Sequence, residues 1–188
     1  MSKPKKEHII MGIDPGTTIM GYSVIACTGK KISMLSLGVI DLTGYSDHYL
    51  KIKHIFERTQ SLIDQYHPDD LAIEAPFYGK NVQSMLKLGR AQGAAISAAL
   101  SRSMPIFEYA PKKIKMSITG NGNAQKEQVA DMLQRMLGYK NPPKHLDATD
   151  ALGAAMCHHY QMQNPLQGKG TNSWKAFIRK NPGKVKGL

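Results

Sequence analysis

Two short apolar runs that each end in an acid place the strongest constraint on the fold of this chain. The run at 8–14 reads His-Ile-Ile-Met-Gly-Ile-Asp, and the run at 71–74 reads Leu-Ala-Ile-Glu. Nearly continuous apolar runs of this length are typical of strands buried on both faces of a sheet. A carboxylate at the end of such a strand is costly unless something compensates its charge. The pattern therefore predicts an α/β sheet with functional acids at its edge.

The remaining pattern predicts a mixed sheet of five strands with helices on both faces. Three strands joined by turn signals come first, and helix and strand then alternate. The predicted strands are 8–14, 21–27, 32–40, 70–74 and 105–108, and the predicted helices are 47–66, 82–101, 111–118, 125–137 and 147–161. If the first and fourth strands are adjacent and parallel, Asp14 and Glu74 leave the sheet at the same edge.

A second pair of acids lies in the last predicted helix. Asp147 and Asp150 are three residues apart and face the same side of a helix, where like charges repel unless a cation lies near them. The alternative is capping, with Asp147 as the N-cap. Asp14 alone could likewise be a turn residue before Pro15. Glu74 has fewer structural explanations, and the coincidence of these acids favours a paired divalent-metal site of the kind that cuts phosphodiesters.

The charge of the chain is strongly positive and unevenly distributed. The formal net charge is +11 at pH 7. Residues 76–144 carry 11 Lys and Arg against 3 Asp and Glu, whereas residues 9–75 carry 5 against 8 and residues 145–160 carry none against 2. Acid is thus concentrated in the segments that supply the four carboxylates. A negative pocket surrounded by positive surface suits a polyanion, although a generic solvated basic surface is the alternative.

A Gly- and Asn-rich loop precedes the fourth predicted helix. The segment 120–126 resembles a phosphate-cradling loop but lacks the Gly-Lys-Ser/Thr of the Walker pattern. Asn123 or Gly122 could instead cap the helix. Lys126 then lies in the first helical turn, where a cation is mildly unfavourable, and this favours a functional role for it. The pair at 158–159, His-His, has no third metal ligand in register.

Length and composition predict one folded domain with an extension at each end. A chain of 188 residues can bury a substantial core. We predict a basic extension at 1–7, the domain at 8–162 and a basic, mobile tail at 163–188. Cys27 and Cys157 lack the spacing of a zinc site, so we expect two buried free thiols.

The hydropathy pattern argues against a membrane or secreted protein. No apolar stretch approaches the ~20 residues that a membrane span needs. The apolar run that follows the basic start is too short for a signal peptide and soon reaches an acid. We therefore expect a cytoplasmic protein that does not associate with membranes.

Several motifs together resemble the RuvC family, the bacterial Holliday-junction resolvases. The resemblance runs from about residue 8 to about residue 160 and keeps order and spacing, and the tail from about 163 has no counterpart that we can align. The motifs are Gly12–Thr17, Ala72–Phe77 with Lys80 and Asn81, Leu86–Gly93, Phe107–Ala110 and Asp147–Leu152.

The resemblance implies a ribonuclease-H-like fold and a specific activity. The expected protein is a homodimeric endonuclease that resolves four-way DNA junctions in recombination and repair by paired symmetric nicks, leaving 5′-phosphate and 3′-hydroxyl ends. It is expected to use two Mg²⁺ ions per site, with Mn²⁺ as a substitute. A branch-migration motor of the RuvA–RuvB type is the expected partner. The Gly- and Ala-rich helix at 82–101 is the candidate dimer interface.

The resemblance also assigns roles to individual residues. The acids that match the family's catalytic, metal-binding set are Asp14, Glu74, Asp147 and Asp150, of which we expect Asp14 to bridge both ions. Phe77 matches an aromatic residue that stacks on a base at the junction. The expected DNA-contacting lysines are Lys80, Lys115 and Lys126. Pro76 and Tyr78 depart from the expected residue types beside Phe77.

Three other functions remain open from the sequence. The turn at 14–18 also resembles the first phosphate loop of sugar-kinase and actin-like ATPases, although those proteins need two such domains. A ribonuclease-H-like nuclease that acts on structured RNA is the second alternative. A junction-binding protein without catalysis is the third, and the intact set of acids argues against it.

Overall fold

One mixed sheet forms the centre of the molecule. The computed structural model describes residues 6–76 and 81–163. The strands are β1 (His8–Asp14), β2 (Ile19–Thr28), β3 (Lys31–Asp41), β4 (Asp70–Glu74) and β5 (Ile106–Tyr109). Their order is β3-β2-β1-β4-β5, with β1 antiparallel to β2 and parallel to β4. The predicted mixed five-stranded sheet is confirmed.

Five helices cover the sheet in the described part of the chain. They are α1 (His48–Tyr66), α2 (Val82–Leu100), α3 (Pro111–Thr119), α4 (Lys126–Leu137) and α5 (Leu146–Gln163). Side-chain caps explain where three of them begin. Asp47 accepts from the amide of Leu50 at α1, and Asn81 accepts from that of Ser84 at α2. At α4, Gln125 and Gln128 form a reciprocal capping box.

The two faces of the sheet bury separate apolar clusters. Alternate residues of β1 point to opposite faces. Met11 belongs to the cluster that α1 and α2 cover, whereas Ile10 belongs to the cluster that α3, α4 and α5 cover. The predicted arrangement with helices on both faces is confirmed. Among the described residues, no helix is both long and apolar enough to cross a membrane.

Helix α5 lies unusually close to the sheet. A Cβ atom added at Gly12 would lie 2.0 Å from the carbonyl oxygen of Ala151, and one added at Gly21 would lie 1.8 Å from that of Asp147. Ser23, which is fully buried, donates a hydrogen bond to the same Ala151 oxygen at 3.1 Å. Because Gly12 and Gly21 have no side chain, α5 can pack this closely against β1 and β2.

The predicted helices and strands match the observed ones to within one or two residues. The capping alternatives for two helices are wrong. Gln125, rather than Asn123 or Gly122, caps α4, because its side chain exchanges hydrogen bonds with the helix. Asp147 lies inside the first turn of α5 and is not its N-cap. Cys27 and Cys157 are buried free thiols, as predicted.

Candidate active site

The ends of β1 and β4 bring two acids to one edge of the sheet. The two strands are parallel neighbours, and Ile13 pairs with Ile73. Asp14 and Glu74 are the next residues of their strands and the last ones. Both carboxylates therefore leave the sheet side by side, as the parallel arrangement required.

The first two turns of α5 supply the other two acids, Asp147 and Asp150. Gly21 pairs with Asp14 across β1 and β2, and its bare backbone faces the Asp147 carbonyl. This close packing brings the start of α5 to the edge where β1 ends. Asp150 lies one turn further along the helix and is only 8% exposed. Four acids from three distant segments thus share one region.

The electrostatics of these acids show how closely they are grouped. The pKa of Asp14 is raised from 3.8 to about 8, first by burial and then by the charges of Glu74, Asp150 and Asp147. Burial and the charge of Asp150 raise the pKa of Glu74 from 4.5 to about 7. Burial also raises the pKa of Asp150, against the opposing effect of Lys126. The site therefore holds more negative charge than its own cations compensate.

Lys126 reaches into this group of acids from the start of α4. Its ammonium donates a hydrogen bond to Oδ2 of Asp150. Burial acts to lower the pKa of Lys126, but this hydrogen bond and the charges of Asp150, Asp14 and Asp147 raise it overall. Lys115 of α3 lies near enough to lower the pKa of both Glu74 and Asp150. Two of the three predicted lysines, Lys115 and Lys126, thus lie beside the acids.

A cleft of about 420 Å³ opens beside the acids. The loop before α4 lines one side of it, and helix α3 lines another. Its polar and charged lining includes Glu74, Lys112, Lys115, Asn123, Gln125, Lys126 and Asp150. The cleft therefore combines carboxylate oxygens with ammonium groups, which is a suitable environment for a metal-bridged phosphate.

The donor set fits a hard divalent cation, although it is not a preformed metal shell. In the described ranges, no three His, Cys, Asp or Glu side chains converge closely enough to hold a metal ion. The donors are all carboxylate oxygens, which Mg²⁺ and Mn²⁺ prefer. Burial, followed by the charges of neighbouring acids, raises the pKa of Asp14 and of Glu74, and a bound cation would favour their ionised forms. The role of the four acids as metal ligands stays a prediction.

Two of the residues predicted to contact DNA lie outside the described part of the chain. These are Phe77 and Lys80, and Tyr78 falls in the same segment. The described chain stops at Pro76, two residues after Glu74, and resumes at Asn81, which caps α2. The interpretation of this loop as a junction contact stays a prediction.

Sequence reasoning missed a lysine next to the turn that follows Asp14. Lys51 of α1 donates a hydrogen bond from Nζ to the carbonyl oxygen of Thr17 at 3.0 Å. Its flank of α1 also faces Lys87 and Arg90 of α2, since all three lower the pKa of His48. The only signal in the sequence is the position of Lys51 on a helix beside apolar core residues, which is too common to interpret.

A polar network is centred on Asp70, the first residue of β4. His158 of α5 donates from Nε2 to Oδ2 of Asp70 at 3.1 Å and accepts at Nδ1 from the hydroxyl of Tyr109 at 2.7 Å. His8 donates from Nε2 to the same Asp70 oxygen at 2.5 Å. Burial lowers the pKa of His158, so the ring stays neutral. The network joins the carboxyl-terminal half of α5 to the starts of β1 and β4.

The strand order, the helices on both faces and the acids at the ends of β1, β4 and the start of α5 define a ribonuclease-H-like nuclease. The sequence model of one family, crossover junction endodeoxyribonuclease RuvC, matches residues 10–158. The RuvC protein of Bacteroides fragilis is 62% identical over 188 residues, which span 99% of this chain and 100% of that protein. The chain belongs to the RuvC family of crossover junction endodeoxyribonucleases.

Solved structures agree with this assignment. Thermus thermophilus RuvC in complex with a Holliday junction substrate superposes with a TM-score of 0.78 at 30% identity, covering 83% of this chain and 95% of that one. The yeast mitochondrial Holliday junction resolvase Ydc2 shares the fold, with a TM-score of 0.54 at 12% identity over 82% of this chain and 83% of that one. The protein is a phosphodiester hydrolase, and its family implies dependence on a divalent metal ion.

Proposed function

We propose that this protein resolves four-way DNA junctions by nicking two strands of like polarity. The observation that carries the proposal is the meeting of Asp14 and Glu74 at the shared edge of β1 and β4, beside the start of α5. The pKa of Asp14 stands at about 8 because it is buried among Glu74, Asp150 and Asp147, even with Lys126 nearby. A purely structural role would not offset the energetic cost of burying several carboxylates together. Divalent cations would compensate their charge and would bring the cleft its hydrolytic chemistry.

The four acids are suited to hold two Mg²⁺ ions, with Mn²⁺ as a substitute. When bound, such a pair activates water for in-line attack and stabilises the leaving 3′ oxygen, which gives 5′-phosphate and 3′-hydroxyl ends. Asp14 is the candidate bridging ligand, since the charges of all three other acids act on its pKa. The remaining ligands would be Glu74, Asp147 and Asp150, whose carboxylates supply the oxygen donors that these ions prefer.

Lys126 and Lys115 hold the substrate phosphate in this proposal. In the metal-free protein the Lys126 ammonium is hydrogen-bonded to Asp150. With a cation held by Asp150, the Lys126 ammonium would be able to turn towards a phosphate oxygen and would stabilise the charge that develops there. Phe77 is proposed to stack on an unpaired base at the junction centre, and Lys80 is proposed to contact the backbone beside it.

A homodimer would place two such sites on one symmetric substrate. Helix α2 offers a suitable surface, because an apolar stripe runs along its exposed side. Val82, Leu86 and Leu100 are all more than half exposed. A Cβ atom added at Gly89 or Gly93 would meet nothing within 4 Å, so a second backbone can approach closely there. We place the dimer contact on this stripe.

The wider setting follows from the proposed activity. Resolution of junctions belongs to homologous recombination and DNA repair, so the protein is proposed to act in the cytoplasm on chromosomal DNA. A branch-migration motor of the RuvA–RuvB type is the proposed partner, since a motor that moves the junction would deliver new sequence to the two sites.

A synthetic mobile four-way junction tests the proposal. With Mg²⁺, the wild-type protein should produce paired nicks, and no nicks should appear in EDTA. Asp14→Asn and Asp147→Asn should abolish cleavage while junction binding survives. Asp131→Asn, an exposed acid of α4, is the matched control and should cleave normally. Full nicking by Asp14→Asn, or preferential cleavage of structured RNA in the same tube, would contradict the proposal.

A further inference from the structure

A histidine at the start of α1 lies among three cations on the side of the sheet away from α3 and α4. His48 feels the positive charges of Arg90, Lys87 and Lys51, which act with burial to lower its pKa. Its Nε2 atom is buried and has no hydrogen-bond partner among the described residues. We call these residues the α1–α2 basic cluster: His48, Lys51, Lys87 and Arg90.

This cluster adjoins the catalytic edge. Lys51 donates its hydrogen bond to the Thr17 carbonyl at 3.0 Å, and Thr17 is three residues beyond Asp14. Lys87 and Arg90 lie on α2, which packs against α1, and both are exposed. The cations therefore begin at the turn after Asp14 and continue outward to solvent.

Local acids do not compensate the cluster. Among the described residues, the three cations of the cluster form no ion pair with an acid, and the acid whose charge raises the pKa of His48 is Asp47. The Asp47 carboxylate accepts a hydrogen bond from the Leu50 amide, so it is committed to capping α1. Three cations that share no dedicated carboxylate repel one another, and an anion between them would relieve the repulsion.

We infer that Lys51, Lys87 and Arg90 form a second phosphate-binding surface, which holds the DNA backbone on the side of the acids opposite Lys115 and Lys126. The two sets of cations belong to helices on opposite faces of the sheet, so a strand that crosses the edge at Asp14 passes between them. Arg90 suits this role because a guanidinium binds phosphate oxygens in a bidentate manner. The inference rests on the proposed function.

The salt dependence of junction binding tests the inference. Lys87→Gln/Arg90→Gln removes two exposed cations without touching the core. Each lost phosphate contact should reduce the slope of log affinity against log salt concentration by about 0.9. The double variant, measured in EDTA so that no cleavage occurs, should therefore show a slope about 1.8 less steep than the wild type. Lys51→Gln should reduce it further.

The matched control is Lys31→Gln/Lys53→Gln, which removes the same net charge from residues outside the cluster. Lys31 lies at the far end of the sheet from Asp14, and Lys53 pairs with Glu57 on the exposed side of α1. This variant should keep the wild-type slope and the wild-type cleavage rate.

The outcomes separate the inference from the proposed function. Equal changes of slope in both double variants would show that the salt dependence reflects only the net charge of the protein, and would overturn the inference. An unchanged slope in Lys87→Gln/Arg90→Gln would also overturn the inference. So would sedimentation data showing that this variant is a monomer, because its weaker binding would then result from loss of the dimer. Failure of the wild-type protein to bind or nick the junction would instead refute the proposed function.

Discussion

The ammonium of Lys126 donates a hydrogen bond to Asp150, which joins the first residue of α4 to the second turn of the helix that supplies two of the four acids. This contact gives the metal-free site one internal counter-ion. The position of Lys126 beside the acids is the basis of the role in phosphate binding that we propose for this residue.

Replacement of Lys126 should separate chemistry from binding. Lys126→Gln keeps a polar side chain, one atom shorter, but removes the charge that would stabilise the transition state. We expect single-turnover cleavage to fall about 100-fold, while junction affinity falls by less than ten-fold, as measured by fluorescence anisotropy. Lys140→Gln, an exposed lysine after α4, is the control. Equal losses of cleavage and affinity would show that Lys126 acts only in binding.

The stability of the metal-free protein should fall as the pH rises from about 4 to about 8. The folded-state pKa of Asp14 is about 8 and that of Glu74 about 7, both above their ordinary values of 3.8 and 4.5. In this window the folded protein holds protons that the unfolded chain has released, so a higher pH favours unfolding. Thermal melts across the window should show the fall.

The same titration predicts how Mg²⁺ and the Asp14→Asn substitution change the pH dependence of stability. Mg²⁺ should restore the melting temperature chiefly at the upper end of the window, because the ion competes with the bound protons. Asp14→Asn should flatten the pH dependence, since the variant has no carboxylate to ionise at that position. A slope as steep as that of the wild type in Asp14→Asn would contradict the assignment of the titration to Asp14.

Enlarging Gly21 should displace the start of α5. A methyl group there would lie 1.8 Å from the Asp147 carbonyl oxygen, a backbone atom that cannot move without the helix. We expect Gly21→Ala to lower the free energy of unfolding by about 1–3 kcal/mol and to raise the Mg²⁺ concentration needed for half-maximal cleavage. Gly44→Ala is the control, because an added Cβ there meets nothing within 4 Å. Normal metal dependence in Gly21→Ala would show that α5 tolerates the shift.

A charge on the apolar stripe of α2 should break the dimer. Leu86 is 52% exposed on the stripe, and Leu86→Arg would place an unpaired charge in the contact. Sedimentation equilibrium should show a monomer that still binds metal but has lost paired nicking. Leu35→Arg, at a 44% exposed site on β3, should remain a dimer. If the Leu86→Arg protein were still a dimer, the interface would have to lie on another surface.

The sequence predicts the sheet and the grouping of acids well because both depend on apolar runs and their ends. The parallel pairing of β1 with β4 had to be assumed, and the register of Ile13 with Ile73 now supports it. The resemblance between the turn at 14–18 and an ATPase phosphate loop had no such support from the rest of the chain.

Contacts between distant side chains could not be predicted. The Lys126–Asp150 pair spans 24 residues, and the Lys51–Thr17 hydrogen bond spans 34. Neither has a spacing rule, because both arise from how helices pack on the sheet. Gln125 caps α4 although its neighbours are better capping residues, because the reciprocal bond with Gln128 is available only there.

The two anchors of α5 limit which parts of the protein can move when DNA arrives. Ser23 holds the helix at Ala151, and Asp70 with Tyr109 holds it at His158, almost two turns away. Rotation of the helix by one residue would break both attachments at once. We therefore expect adaptation to the substrate to occur in the loop before α4 and around Pro76, while the aspartates of α5 keep a fixed position that is set during folding.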